Sequence, residues 1–260
     1  MASRRRAANP ADVGGTTLQA VLFDLMRTLV APLGTYGEQL AHVYHVVGGV
    51  LTDPDRALAV TEEVRQRTQR TDHPENDWAI MNRKILAILA SVPLAEIPIA
   101  IAQQVRPRLM SDPDLYQVRP EMRALLEHLG TRVPLGLASN YDGRVVDHFL
   151  DHFDLRRYFR GELIFVSGRI AGAKRFVDKP TAEFWQIVRA TIGCPDNPRV
   201  VALVDDDTRV AVPVARFGHP VALLDYDLRG LDAADRHPLL FYCRSCHDVE
   251  CALFFLGLPR

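Results

Sequence analysis

Residues 199–207 read Arg-Val-Val-Ala-Leu-Val-Asp-Asp-Asp, an apolar run that stops abruptly in three carboxylates. Five apolar residues without alternation are too short for a helix and read as a strand buried on both faces, as in a parallel sheet. Four other segments share the pattern: Leu18–Leu25 (LQAVLFDL), Pro134–Asn140 (PLGLASN), Glu162–Gly168 (ELIFVSG) and Pro220–Asp225 (PVALLD). Helical periodicity lies between them, at Arg119–Leu129, Gly143–Phe153, Thr181–Ile192 and Ala211–Phe217. Alternating strands and helices predict an α/β fold, a doubly wound parallel sheet of Rossmann-like type.

The first two strands are too far apart for a single crossover helix, which needs only a dozen or so residues. The intervening chain carries helical patterns at Gly37–Val47, Pro54–Gln69, Asp77–Ala90 and Glu96–Met110. The expected organisation is therefore an α/β core at 18–31 and 119–260, an inserted all-helical cap at 32–118, and a disordered tail at 1–17. A last strand at Leu239–Cys243 and a closing helix at His247–Leu256 complete the core.

The 260 residues are 48% hydrophobic and 24% charged, the balance of a chain that can bury a real core. A formal net charge of −1 leaves no basic excess to hold a nucleic-acid backbone. The Arg4-Arg5-Arg6 run is followed by ADVGGTT, not by the apolar stretch an export signal needs. The most apolar stretch, Ile85–Val105, is interrupted by Pro93, Glu96 and Pro98 and is a poor membrane span. Four cysteines are too few for a disulfide scaffold. Cys243-Arg-Ser-Cys246-His247 has haem-attachment spacing, but the preferred reading is small buried residues at the end of the core. A cytoplasmic protein is expected, monomer or homodimer, acting on a small molecule, with neither nucleic acid nor membrane as partner.

In open parallel sheets the ligand sits outside the carboxyl ends of the strands. Here those ends are polar. The first strand ends at Asp24, with Thr28 close behind; the second ends at Ser139-Asn140; the fourth ends at Asp205-Asp206-Asp207. Lys179-Pro180 precedes the helix leading into that fourth strand. Lys179 is one of only three lysines, with Lys84 and Lys174, in a chain whose other basic residues are arginine. Brought together, these residues offer a carboxylate nucleophile, hydroxyl and amide donors, a compact cation, and acidic ligands for a hard divalent ion.

The order of these motifs resembles the haloacid dehalogenase (HAD) superfamily of hydrolases, over nearly the whole chain from Leu18 to about Pro259. Asp24-Leu-Met-Arg-Thr-Leu29 is similar to the family's first motif, usually Asp-x-Asp-x-Thr-Leu. Ser139-Asn140, Lys179-Pro180 and Asp205-Asp206-Asp207 stand where the later motifs stand, and a helical insertion after the first motif is where one large branch carries its cap. The resemblance implies that Asp24 is the nucleophile that becomes an aspartyl-phosphate, with Thr28 and Asn140 in the site. It implies that Ser139 binds the transferring group and Lys179 neutralises developing charge. It also implies Mg²⁺ held by Asp24, the main-chain carbonyl of Met26, Asp206 and Asp207, under a cap that closes and selects substrate.

Two departures bear on this expectation. Met26 stands where the family's phosphatases carry a second Asp, whose acid–base help is typically worth ~10²–10⁴ in rate. The later acidic residue of the fourth motif falls at about Ala211, and the usual Gly is Asp205. Two other readings stay open: a 2-haloacid dehalogenase in which Asp24 attacks carbon without metal, and an inactive fold kept for binding or regulation. Lys174 stays open as a rival to Lys179.

Overall fold

The computed structural model describes residues 17–67, 74–141, 143–167, 169–170, 177–225 and 235–259. Lys174 and the 1–16 segment lie outside the described residues, as does Asp142 beside the second motif. The chain forms two compact units, one made of residues 1–31 and 118–260, the other of Pro32–Gln117.

In the first unit six strands form one parallel sheet: β1 (Ala20–Phe23), β4 (Leu135–Ser139), β5 (Ile164–Val166), β6 (Val201–Asp205), β7 (Val221–Leu224) and β8 (Leu240–Cys243). Their spatial order is β5-β4-β1-β6-β7-β8. From β1 the chain steps outward through β4 and β5, then returns to the other side of β1 for β6, β7 and β8. The order reverses at β1, and the crevice of a doubly wound sheet lies at such a reversal. Asp24 is the first residue past that strand.

The helices of this unit are α5 (Pro120–Gly130), α6 (Gly143–His152), α7 (Ala182–Ile192), α8 (Thr208–Arg216) and α9 (Cys246–Phe255). One apolar core joins Ala20, Leu22, Leu203 and Leu223 of the sheet to Phe184, Trp185 and Val188 of α7 and Val210 and Val214 of α8. The alternate strand residues Val21, Phe23, Val204 and Leu224 are equally buried and face the other way, with α9 packed on β7 and β8. Burial on both faces explains why the strands read as continuous apolar runs. Gly136 in β4 is required by close approach: a Cβ there would lie 2.4 Å from the Leu163 carbonyl oxygen and 2.6 Å from a Leu22 methyl.

α8 begins three residues before the periodic segment that sequence suggests. The cause is local: Asp207 is its N-cap, accepting from the Arg209 amide at 2.9 Å, so the first turn is polar and the apolar stripe starts later. The strand and helix at the end of the chain contain Cys243 and Cys246, both buried, while Cys251 is exposed; all four cysteines are free. Among the described residues no helix is long and apolar enough to cross a membrane.

The second unit contains α1 (Tyr36–Val46), α2 (Ala57–Arg67), α3 (Pro74–Ala90) and α4 (Ile99–Ser111) around a core that includes Leu40, Val43, Val60, Leu86, Leu89 and Val105. α1 starts with a reciprocal cap, the Glu38 amide donating to Thr35 Oγ1 and the Thr35 amide to Glu38 Oε2. Two three-residue strands, β2 (Val30–Pro32) and β3 (Tyr116–Val118), pair where the chain leaves the first unit and returns.

Candidate active site

Parallel register puts the reactive groups side by side. Phe23 of β1 pairs with Val204 of β6, so Asp24 and Asp205 leave adjacent strand ends together. Lys179 arrives from the segment before α7 and lies between them. Its Nζ donates to Asp24 Oδ1 at 2.5 Å and to Asp205 Oδ2 at 2.7 Å, and its side chain is 3% exposed. Lys179 is fixed through its backbone as well. Its amide donates to Asn140 Oδ1 at 2.9 Å, and its carbonyl accepts from Trp185 Nε1 at 2.6 Å. Asn140 Oδ1 also accepts from Ser167 Oγ at 2.7 Å, which ties the ends of β4 and β5 to the lysine. Asn140 thus fixes the Lys179 main chain against the ends of β4 and β5.

Asp206 adds a third carboxylate. Asp24, Asp205 and Asp206 each present an oxygen within 4.8 Å of the others'. Thr28, fully buried, lies with its hydroxyl 3.4 Å from Asp206 Oδ1, and Arg27 Nε lies 3.4 Å from Asp206 Oδ2. Hard oxygen donors converging in this way suit Mg²⁺ or a similar cation. Asp207, expected from sequence as a ligand, is not in the group. Its carboxylate caps α8 and is gripped by the Arg209 side chain; partial burial pushes its pKa up, but the hydrogen bonds and charge of Arg209 outweigh this and lower it. Asp205 is in the group, and accepts the Asp207 amide on its own Oδ1 at 2.9 Å.

Asp24, Arg27, Lys179 and Asp205 to Asp207 line a cavity of about 420 Å³ that also includes Met26, Asn140, Tyr141, Arg209 and Asp225 but not the buried Thr28. Ser139 is not among its lining residues: it is fully buried, and its hydroxyl accepts the Tyr141 amide at 3.2 Å. Ala211, where the family's later acid would fall, is fully buried in the core against α7 and the sheet. Asp225, at the end of β7, accepts a hydrogen bond from the Tyr242 hydroxyl. Arg27 and Asp225 were not marked as pocket residues by the sequence, although Asp225 shares the strand-end signal that marks Asp24; Asp205 was marked only as one of three adjacent carboxylates.

Electrostatics follow from three carboxylates around one ammonium. Burial, then the charges of Asp205 and Asp206, push Asp24 up to about 7 although Lys179 pulls it down. Burial and the charge of Asp205 push Asp206 up to about 6. Burial works against the Lys179 charge, but Asp205 and Asp24 outweigh it and hold the ammonium firmly protonated. Because Asp24 is more basic folded than unfolded, the native state binds the extra proton between the ordinary value of 3.8 and about 7. Its contribution to stability therefore declines as pH rises through that window. With divalent ions chelated, wild type should lose melting temperature relative to Asp24→Asn as pH goes from 4 to 8. A constant difference between the two curves would show that the carboxyl is not perturbed.

Strand order, strand-end carboxylates and a buried lysine define an α/β protein of the doubly wound class. No family model matches the sequence, and no curated protein shows significant sequence similarity to it. Solved structures do match in three dimensions. YfnB from Bacillus subtilis, a candidate HAD hydrolase solved with bound magnesium, superposes with a TM-score of 0.69 at 14% identity, covering 92% of this chain and 99% of that one. A HAD family hydrolase from Deinococcus radiodurans with bound phosphate and sodium gives 0.60 at 20% identity, covering 93% and 97%. A 2-haloacid dehalogenase from Pseudomonas syringae gives 0.56 at 15% identity, covering 92% and 99%. The chain has the fold of the HAD-superfamily hydrolases.

Proposed function

We propose that the protein is a Mg²⁺-dependent hydrolase that transfers a phosphoryl group from a small metabolite to Asp24 and then to water. The observation that carries this reading is the Asp24–Lys179–Asp205 array with Asp206 beside it on the wall of one cavity. Asp24, Asp205 and Asp206, with the Met26 carbonyl, would hold the ion. When bound, Mg²⁺ offsets the carboxylate charge and polarises the phosphoryl oxygens.

The ionised Asp24 attacks phosphorus, a P–O bond forms to the carboxylate, and the bond to the leaving oxygen breaks with its electron pair. Water then attacks the aspartyl-phosphate, releasing inorganic phosphate and regenerating the carboxylate. Lys179 keeps its proton and faces the charge that develops on the transferring group. Met26 can neither give nor take a proton, so the favoured substrates are those whose leaving group departs as a stable anion. Acetyl phosphate is a fair probe for that reason.

Acetyl phosphate and p-nitrophenyl phosphate should be hydrolysed with Mg²⁺ and not with EDTA, acetyl phosphate faster relative to its uncatalysed rate. The clustered carboxylates speak against a metal-free dehalogenase; chloride release from 2-chloropropionate in EDTA would reverse that preference. Mg²⁺ uptake without turnover of either phosphate would favour an inactive binding protein. The free cysteines fit a cytoplasmic setting.

A further inference from the structure

Arg27 occupies a backbone position made for glycine. Its φ is +67°, in the left-handed region, and its amide closes a tight turn onto the Val30 carbonyl at 2.6 Å. Side chains with a Cβ adopt this conformation at a cost that glycine escapes. The guanidinium lies against Asp206 with its side chain 52% exposed, and an ion pair that exposed contributes little to stability. An arginine thus stands at a strained backbone position on the wall of the cavity.

Asp206 has two oxygens, one beside the Thr28 hydroxyl and one beside Arg27. A divalent ion held by Asp206, Asp24 and Asp205 would set a second, stronger cation on the carboxylate that Arg27 faces. Like charges repel, so ion and guanidinium compete for Asp206. Arg27 stands on a flexible stem in the same cavity, and its planar fork suits phosphoryl oxygens better than any other cation in a protein.

We propose that Arg27 is a partner-switching substrate ligand. It holds Asp206 when no divalent ion is bound, yields that carboxylate to the ion, and then binds the anionic oxygens of the phosphorylated substrate. The proposal rests on the metal half of the proposed function and adds to it an order of events: ion first, anion second.

The test is calorimetric and does not depend on turnover. Mg²⁺ is titrated into wild type, Arg27→Gln and Arg27→Gly, and inorganic phosphate is then titrated into each Mg²⁺-saturated protein. Loss of the competing cation should tighten Mg²⁺ about two- to fivefold in both variants. Loss of the fork should weaken phosphate about tenfold or more. Arg27→Gly should melt above Arg27→Gln, because only glycine takes φ +67° freely, and this also shows that both variants are folded. Unchanged or weaker Mg²⁺ binding in the variants, with normal uptake by wild type, overturns the Arg27 proposal alone. Tighter Mg²⁺ with unaltered phosphate affinity overturns it too, since the switch then has no second partner. No Mg²⁺ uptake by any of the three proteins would overturn both this proposal and the metal reading of the site.

Discussion

Asp24→Asn should lower Mg²⁺-dependent hydrolysis of acetyl phosphate by about 10⁴-fold or more, the scale seen when a covalent nucleophile is removed. The amide is nearly isosteric but cannot attack phosphorus. The same change should raise the melting temperature at pH 7.5 in EDTA. Asp24 is buried beside two like charges, and its ionisation works against folding there. Lys179 keeps a partner in Asp205 after the substitution. Activity and stability should therefore move in opposite directions, which unfolding cannot imitate. Retained turnover in Asp24→Asn would remove the carboxylate from the chemistry. A lower melting temperature would mean that the Lys179 contact outweighs the crowding.

Lys179→Met should be the most damaging substitution for the fold of the site. Its ammonium is the shared counter-ion of two buried carboxylates, and removing one partner of a buried ion pair typically costs about 3–5 kcal/mol. Met keeps the length and apolar stem, so the loss is of charge and hydrogen bonds rather than volume. The penalty should shrink at pH 5, where Asp24 and Asp206 can take up protons. Turnover in the surviving folded fraction should fall by about 10²–10³, the usual loss for a preorganised electrostatic group. Differential melting at pH 5 and pH 8, with acetyl phosphate assays at 20 °C, reads both effects. A variant as stable as wild type at pH 8 would show that solvent, not Lys179, balances the carboxylates.

The sheet was legible because burial on both faces leaves no alternation to misread, and because Asp24 interrupts an apolar run at its end. Lys179 was legible as a rare residue type before a helix. The division of labour within Asp205-Asp206-Asp207 was not. It depends on where β6 stops and α8 starts: Asp205 is the last sheet residue, Asp207 the helix cap. A shift of one residue would exchange their roles, and nothing in three identical letters marks the boundary. Ser139 was placed at the reacting group by its motif, yet its hydroxyl serves the turn into Tyr141. The strands β2 and β3 have three residues each, too few for any period to show. The left-handed turn at Arg27 was hidden because arginine is not the residue that announces it.

That turn has an evolutionary consequence. Arginine and glycine codons differ by a single base in most of their forms, so the conformationally easier residue is one mutation away at position 27. Arg27→Gly therefore relieves the backbone by a single base change, so what favours arginine at this position acts through its side chain.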